Sequence, residues 1–169
     1  MKRRTLLLAA AAAVAASAVG IAAAATATSY ASPSDGRTIR LVERGGSSTI
    51  VDNAPRGNPR TRLLSAGDFW AGTMKLYADS GERAGSLQVV CTATVSGQET
   101  HTRFQCQGTV RLADGTLALA ALIERHPDKD VDHISVVGGT GAYEGARGTM
   151  TSTPRSSGNV TDDAIHLLP

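Results

Sequence analysis

Apolar and polar residues alternate with a period of two through the middle of the chain. Apolar residues occupy the odd positions of the segment 87–95, the even positions of 104–112 and the odd positions of 117–123. In the first two segments the intervening positions carry mainly Gln, Thr and Arg. This alternation is typical of antiparallel strands that bury one face and expose the other to water. The pattern therefore predicts three consecutive amphipathic strands.

Turn residues predict how these strands pair. A hairpin centred between the first two segments pairs Cys91 with Cys106. Asp114-Gly115 is a strong signal for a two-residue turn, and a hairpin centred there pairs Gly108 with Ala121. Both registers keep the apolar positions on one face, whereas a slip of one residue would scatter them. The agreement between turns and alternation favours a meander.

Further short strands are predicted on both sides of this meander. They cover residues 38–44, 67–78, 133–137, 147–153 and 164–168, and the stretch 45–59 is predicted to be a loop with a short edge strand at 49–51. No amphipathic helical stretch follows the N-terminal segment. Seven to nine short strands with turns at near-regular spacing indicate an all-β sandwich or barrel.

Three blocks of the sequence carry a family resemblance. The stretch 134–148 (ISVVGGTGAYEGARG), with GDFWAGTMKLY at 67–77 and RAG…VVC at 83–91, resembles the allene oxide cyclase-like barrels and the plant dirigent proteins. The glycine cluster is not a phosphate loop, because no Gly-Lys-Ser/Thr follows it. The resemblance implies a small antiparallel eight-stranded β-barrel, which we expect to form a single domain over residues 36–169.

The resemblance also implies which side chains face the barrel interior. Of the cavity residues of plant allene oxide cyclases, only the cysteine is retained, at Cys91, while Met74 and Ile123 occupy positions that are polar in those enzymes. Arg147 matches the arginine of the dirigent Ala-Arg-Gly motif, which borders the pocket, although a structural arginine at the barrel rim is the favoured interpretation.

The first strand has two conflicting interpretations. Alternation turns Ile39 and Leu41 toward the interior, whereas the family alignment turns Arg40 and Val42 inward. The sequence does not decide between these two phases.

The N-terminal segment 1–27 is predicted to be a signal peptide. A basic start precedes a Leu/Ala run and the small residues Ala25-Thr26-Ala27, with a membrane anchor as the alternative. Cleavage would remove three of the 17 basic residues and leave 14 against 15 acidic ones, a net charge of −1. We therefore expect a secreted or extracytoplasmic protein, with neither nucleic acid nor a membrane as partner after cleavage.

The two cysteines and the titratable residues suggest little catalytic chemistry. Cys91 and Cys106 are predicted to form a disulfide, because an even cysteine count in an exported protein usually does so, with two buried free thiols as the alternative. The four histidines lack ligand spacing, and the acidic pair Asp162-Asp163 is interpreted as solvated loop charge. No metal and no cofactor are expected.

The interior-facing positions suggest a hydrophobic binding site. Small side chains at mid-strand favour an interior that holds one small ligand rather than a solid core. The predicted ligand-binding residues are Trp70, Met74, Val89, Phe104, Gly108, Ala121, Ile123 and Arg147.

Three functional hypotheses remain open from the sequence. The first is a secreted barrel that binds a small hydrophobic molecule, and the second is an isomerase or cyclase of the allene oxide cyclase-like or dirigent-like type. The third is a structural barrel with a filled core. The sequence identifies neither the ligand nor the oligomeric state, and a homo-oligomer is one of the open alternatives.

Overall fold

The computed structural model describes residues 36–53, 64–95, 102–124, 131–156 and 159–169. The strands of these segments are β1 (Arg37–Val51), β2 (Phe69–Tyr77), β3 (Arg83–Ala93), β4 (Arg103–Leu112), β5 (Gly115–Glu124), β6 (Asp132–Gly141), β7 (Gly148–Pro154) and β8 (Val160–Leu167). The predicted signal peptide, residues 1–27, lies outside them. Within the described segments, no helix has the length and apolar character needed to cross a membrane.

The eight strands form one closed antiparallel barrel. Each strand pairs with the next along the chain, and β8 pairs with β1 to close the sheet. Closure leaves no unpaired edge, which explains how short strands with polar outer faces form a stable unit. The predicted fold class, an all-β eight-stranded barrel, is confirmed.

The predicted pairing of β3 with β4 agrees with the structure. Cys91 is the direct partner of Cys106, and Val89 is the partner of Gly108. A disulfide joins Cys91 to Cys106. Cross-strand partners have their Cβ atoms close enough for such a bond, so the hairpin register accounts for the bridge.

The predicted pairing of β4 with β5 was displaced by two residues. Gly108 pairs with Leu119 rather than with Ala121, and Ala121 pairs with Cys106. The turn consists of Ala113-Asp114, because Gly115 already belongs to β5 and pairs with the last residue of β4. A shift of two leaves every side chain on its predicted face, so the interior assignment was unaffected.

Strand β1 continues through the segment that was predicted to be a loop. It reaches Val51 and pairs with β2 across a bulge between Arg44 and Gly46, where Gly45 has a φ of +55°. Glycine accepts this left-handed conformation without steric cost, so the strand bends instead of ending.

Two clusters of buried side chains fill different ends of the barrel. The larger one includes Leu76, Leu117, Met150 and Ile165, each at most 1 % exposed. The smaller one consists of Cys91, Ala93, Phe104 and Cys106. The first end is densely packed, and the second belongs to the wall of the cavity described below.

The glycine-rich corner between β6 and β7 covers the packed end. Tyr143 belongs to the larger cluster, and burial, with a hydrogen bond to Asp114, raises the pKa of its hydroxyl to about 12. A Cβ at Gly139 would collide with the Tyr143 carbonyl oxygen, and Gly145 has a φ of +73°. The corner needs glycine for this close approach and for this turn.

Candidate functional site

A cavity of about 580 Å³ occupies the barrel interior beside the smaller cluster. Its lining extends to residues at strand ends, including Glu124 at the end of β5 and Pro154 at the end of β7. The cavity therefore reaches the end of the barrel opposite the glycine-rich corner. Its volume lies in the range of pockets that hold small organic molecules.

Seven of the eight residues predicted to bind ligand line this cavity. They are Trp70, Met74, Val89, Phe104, Gly108, Ala121 and Ile123. Alternation placed them on the interior face, and the closed sheet brings that face together around one space. Their contact with a ligand remains a prediction.

Arg147 does not belong to the site. Its side chain is exposed, and its carbonyl oxygen accepts a hydrogen bond of 2.8 Å from the Leu168 amide. The residue follows Ala146, which is buried in the larger cluster at the packed end. Arg147 therefore lies at the opposite end of the barrel from this cavity, and its contact with a ligand is not supported by the cavity lining.

Strand β1 resolves the conflict over its phase. Leu41 is buried in the larger cluster and Ile39 packs against it, whereas Arg40 is exposed. Val42 is also buried but does not belong to either cluster. The alternation was right and the family alignment was wrong, and the same phase turns Glu43 into the cavity wall.

One side of the cavity wall is apolar. It is formed by β2 to β5, which contribute the indole of Trp70, the thioether of Met74 and the aromatic ring of Phe104. The Cys91–Cys106 disulfide is part of this wall. Such a surface binds hydrocarbon or aromatic skeletons through the exclusion of water.

The opposite side of the interior is acidic. Asp132 on β6 is the register partner of Ser152 on β7, and Ser152 is the partner of Asp163 on β8. Asp163 in turn pairs with Leu41 of β1, two residues before Glu43. Register partners on one face lie within about 5 Å at Cβ, so these polar groups form one interior strip.

Asp163 is the most perturbed group of this strip. Its side chain is 2 % exposed, and neither carboxylate oxygen is hydrogen-bonded to another group of the described chain. Burial raises the pKa of Asp163 to about 7, and the negative charges of Glu43 and Asp162 add to the rise. The Ser152 hydroxyl is near enough to oppose the rise but does not reach hydrogen-bond geometry. Burial also raises the pKa of Glu43.

Sequence reasoning missed both carboxylates. Asp163 was interpreted as solvated, but only its neighbour Asp162 is exposed, where it accepts a 2.8 Å hydrogen bond from Arg155 Nε. The available signal was the phase: Asp163 alternates with Ile165 and Leu167, and Glu43 alternates with Leu41. A carboxylate in phase with buried residues on a strand points to the interior.

A second buried carboxylate, Asp68, organises the loop before β2. It is fully buried and accepts hydrogen bonds from the amide of Asn53 (2.7 Å), the amide of Ser65 (2.6 Å) and the hydroxyl of Ser65 (3.1 Å). Burial alone would raise its pKa, but these donors together lower the pKa of Asp68 below its usual value. Asp68 therefore joins the two described ends of the β1–β2 connection as a carboxylate.

Family comparison agrees with this geometry. A model of the allene oxide cyclase barrel-like domain matches residues 49–167, which is more than half of the chain. The chain belongs to the allene oxide cyclase barrel-like family. No curated protein matches the chain significantly.

Solved structures of this fold serve different chemistries. The barrel is similar to a pyocyanin demethylase (20 % identity, TM-score 0.63, 78 % of this chain and 100 % of that one). It is also similar to the pterocarpan synthase dirigent protein PsPTS1 (18 % identity, TM-score 0.61, 80 % of this chain and 96 % of that one). The Diels–Alderase AbmU from Streptomyces koyangensis is a third similar structure (13 % identity, TM-score 0.60, 79 % of this chain and 63 % of that one). At these identities the likeness establishes the fold and not the activity.

Proposed function

We propose that the protein binds a small hydrophobic molecule inside its barrel. The observation that carries this proposal is the cavity of about 580 Å³ with an apolar wall from four adjacent strands. Eight-stranded barrels are close to the size at which the interior either packs solidly or holds one small ligand. Small residues at mid-strand, Gly108 and Ala121, leave the space that larger side chains would fill.

The place of action that we propose is outside the cytoplasm. The signal-peptide pattern of residues 1–27 supports export, and the Cys91–Cys106 disulfide suits an oxidising compartment. A secreted barrel of this kind would capture or carry an apolar compound from its surroundings.

A catalytic role as an isomerase or cyclase is the second candidate. The specific observation in its favour is a carboxyl group with a pKa of about 7, Asp163, on the inner face beside an apolar cavity. A group with such a pKa donates and accepts protons near neutral pH, which is what general acid–base chemistry requires. Pterocarpan synthase and Diels–Alderase are activities of structures that share this fold.

Filling the cavity should abolish binding without unfolding the barrel. Trp70 is the only tryptophan and lines the cavity, so a neutral apolar compound such as 1-adamantanemethanol should change its fluorescence in a saturable manner. In Ala121→Phe the added ring occupies the cavity, and we expect affinity to fall by about tenfold or more. The measurement is a fluorescence titration of the wild type and the variant.

The matched control is Ala118→Phe, on the outer face of the same strand. Leu117 and Leu119 beside it are buried, so residue 118 faces away from the interior. This control should bind like the wild type, and all three proteins should unfold cooperatively. No saturable response of Trp70 to any neutral apolar compound, or equal binding by Ala121→Phe, would rule out the proposed site.

Position 121 is a better site for this test than position 108. A Cβ at Gly108 would lie 3.1 Å from the Gln88 carbonyl oxygen, so any larger residue there strains the β3–β4 pairing. Ala121 already carries its Cβ, and its substitution adds volume in the direction of the cavity.

A further inference from the structure

The cavity is asymmetric in charge, and this asymmetry bears on the class of ligand. Glu43, Glu124 and Asp132 belong to its lining, and no lysine, arginine or histidine is found among the described residues that line it. Glu124 is offset by an ion pair with Arg103 (3.0 Å). The remaining carboxylates face the interior from β1 and β6, on either side of β7 and β8.

We propose that the barrel selects apolar molecules that carry a protonated amine, which Glu43 and Asp163 bind at the acidic strip. This inference rests on the proposed function, because it assumes that the cavity holds a ligand. Beyond the proposed function, it specifies the head group of the ligand and the strands that bind this head group. An apolar molecule with a carboxylate is excluded by the same charges.

Asp163 provides the observation that points to a missing donor. A buried carboxylate normally accepts several hydrogen bonds, as Asp68 of the same protein does. Neither oxygen of Asp163 is within hydrogen-bond geometry of another group of the described chain, although the residue is only 2 % exposed. Asp163 does not itself line the cavity, but its register partner Ser152 does, so it lies directly behind the cavity wall on the inner face. An ammonium group supplies up to three donors and a positive charge.

The energetics favour a cation at this strip. Charge-assisted hydrogen bonds are about twice as strong as neutral ones, and low-dielectric surroundings strengthen them further. A cation would also offset the negative charge of Glu43, which raises the pKa of Asp163. An anionic head group would instead add a third negative charge to the same space.

The two walls suit the two halves of such a molecule. The apolar skeleton would lie against the wall that contains Trp70, Gly108 and Phe104, and the ammonium group would reach toward β7, β8 and β1. In the described chain no group of three or more potential ligands forms a metal site, which favours an organic cation over a metal ion.

Three probes with one skeleton separate the head group from the hydrophobic contact. They are 1-adamantylmethylamine, 1-adamantanemethanol and adamantane-1-carboxylic acid, each titrated calorimetrically into the full mature protein near pH 7. We expect the affinity to decrease in the order amine, alcohol, acid, with the amine binding at least about tenfold more tightly than the acid. The quantity compared among variants is the ratio of amine to acid affinity.

The double variant Glu43→Gln/Asp163→Asn should bring this ratio close to one. The matched control is Asp162→Asn, which makes the same chemical change at the next residue, whose side chain is exposed and paired with Arg155. The control should retain the wild-type ratio. A spectroscopic check that each variant keeps its β-sheet signal shows that lost selectivity is not lost folding.

The outcomes separate this inference from the function on which it rests. If the alcohol binds but the amine is no tighter than the acid, or if the double variant keeps the wild-type ratio, the selectivity is refuted and the binding function stands. If none of the three probes binds, both the inference and the proposed binding of compact apolar molecules fail.

Discussion

Replacing Asp163 by asparagine is expected to stabilise the barrel at neutral and alkaline pH. The wild-type carboxylate is buried, has no protein hydrogen-bond partner and lies near the negative charges of Glu43 and Asp162. Ionising it in this place costs free energy that a neutral amide of the same size does not incur. Most substitutions of buried polar residues destabilise proteins, so an increase in stability would be distinctive.

The pH dependence of this effect has a definite sign. The pKa of Asp163 is about 7 in the folded barrel, against an unfolded value of about 4. Between these values the folded state binds more protons than the unfolded state, so wild-type stability falls as pH rises through this window. The advantage of Asp163→Asn should therefore be small near pH 4 and reach on the order of 4 kcal/mol above about pH 7.

Urea unfolding of both proteins at several pH values measures this difference. Glu43 faces Asp163 from β1, Ser152 faces it from β7, and Asp162 adjoins it on β8, so these are the groups that act on its titration. A variant that is less stable than the wild type at pH 8, or a difference that does not vary with pH, would contradict the assignment of an ionisable and unpaired carboxylate.

The same substitution at Asp68 is expected to have the opposite effect. Asp68 accepts three hydrogen bonds from Asn53 and Ser65. An asparagine at this position would place its own NH₂ donor against one set of these N–H and O–H donors, where no hydrogen bond can form. Losing charge-assisted bonds while leaving buried donors unpaired should cost on the order of 3 kcal/mol at neutral pH.

The pH profile of Asp68→Asn distinguishes this mechanism from a general loss of packing. Because the folded pKa of Asp68 lies below its unfolded value, its stabilisation is present above about pH 4 and is lost as the pH falls through the folded pKa. The deficit of the variant should narrow in acid. A deficit that is constant from pH 7 to pH 3 would contradict a stabilising carboxylate at this loop.

Much of the fold was predictable because two-residue periodicity and turn chemistry report directly on β-structure. The alternation in β3, β4 and β5 identified the inner face, and a register error of two residues at Asp114-Gly115 left that face unchanged. The continuation of β1 past Gly45 was not predictable, because a bulge in a Gly/Ser-rich stretch has the composition of a loop. Composition does not report on the partner strand that keeps such a stretch extended.

The candidate site was predicted on its apolar side and missed on its acidic side. Apolar residues such as Met74 and Ile123 alternate in phase with buried neighbours, and this phase indicates that they face the interior. Glu43 and Asp163 follow the same phase, but carboxylates are usually solvated, so composition and phase disagree at these positions. The pairing of β8 with β1 in the closed barrel shows that the side chains of Glu43 and Asp163 follow the alternation and face the interior.

The two methionines of the barrel allow a direct test of whether its interior binds ligand. Met74 lines the cavity, whereas Met150 is 1 % exposed within the packed cluster. With ¹³C-labelled methionine methyl groups, titration with 1-adamantanemethanol should shift the Met74 signal in a saturable manner and leave Met150 nearly unchanged. If Met74 does not respond, or if both signals move together, the interior does not bind the compound as a separate site and the central claim is contradicted.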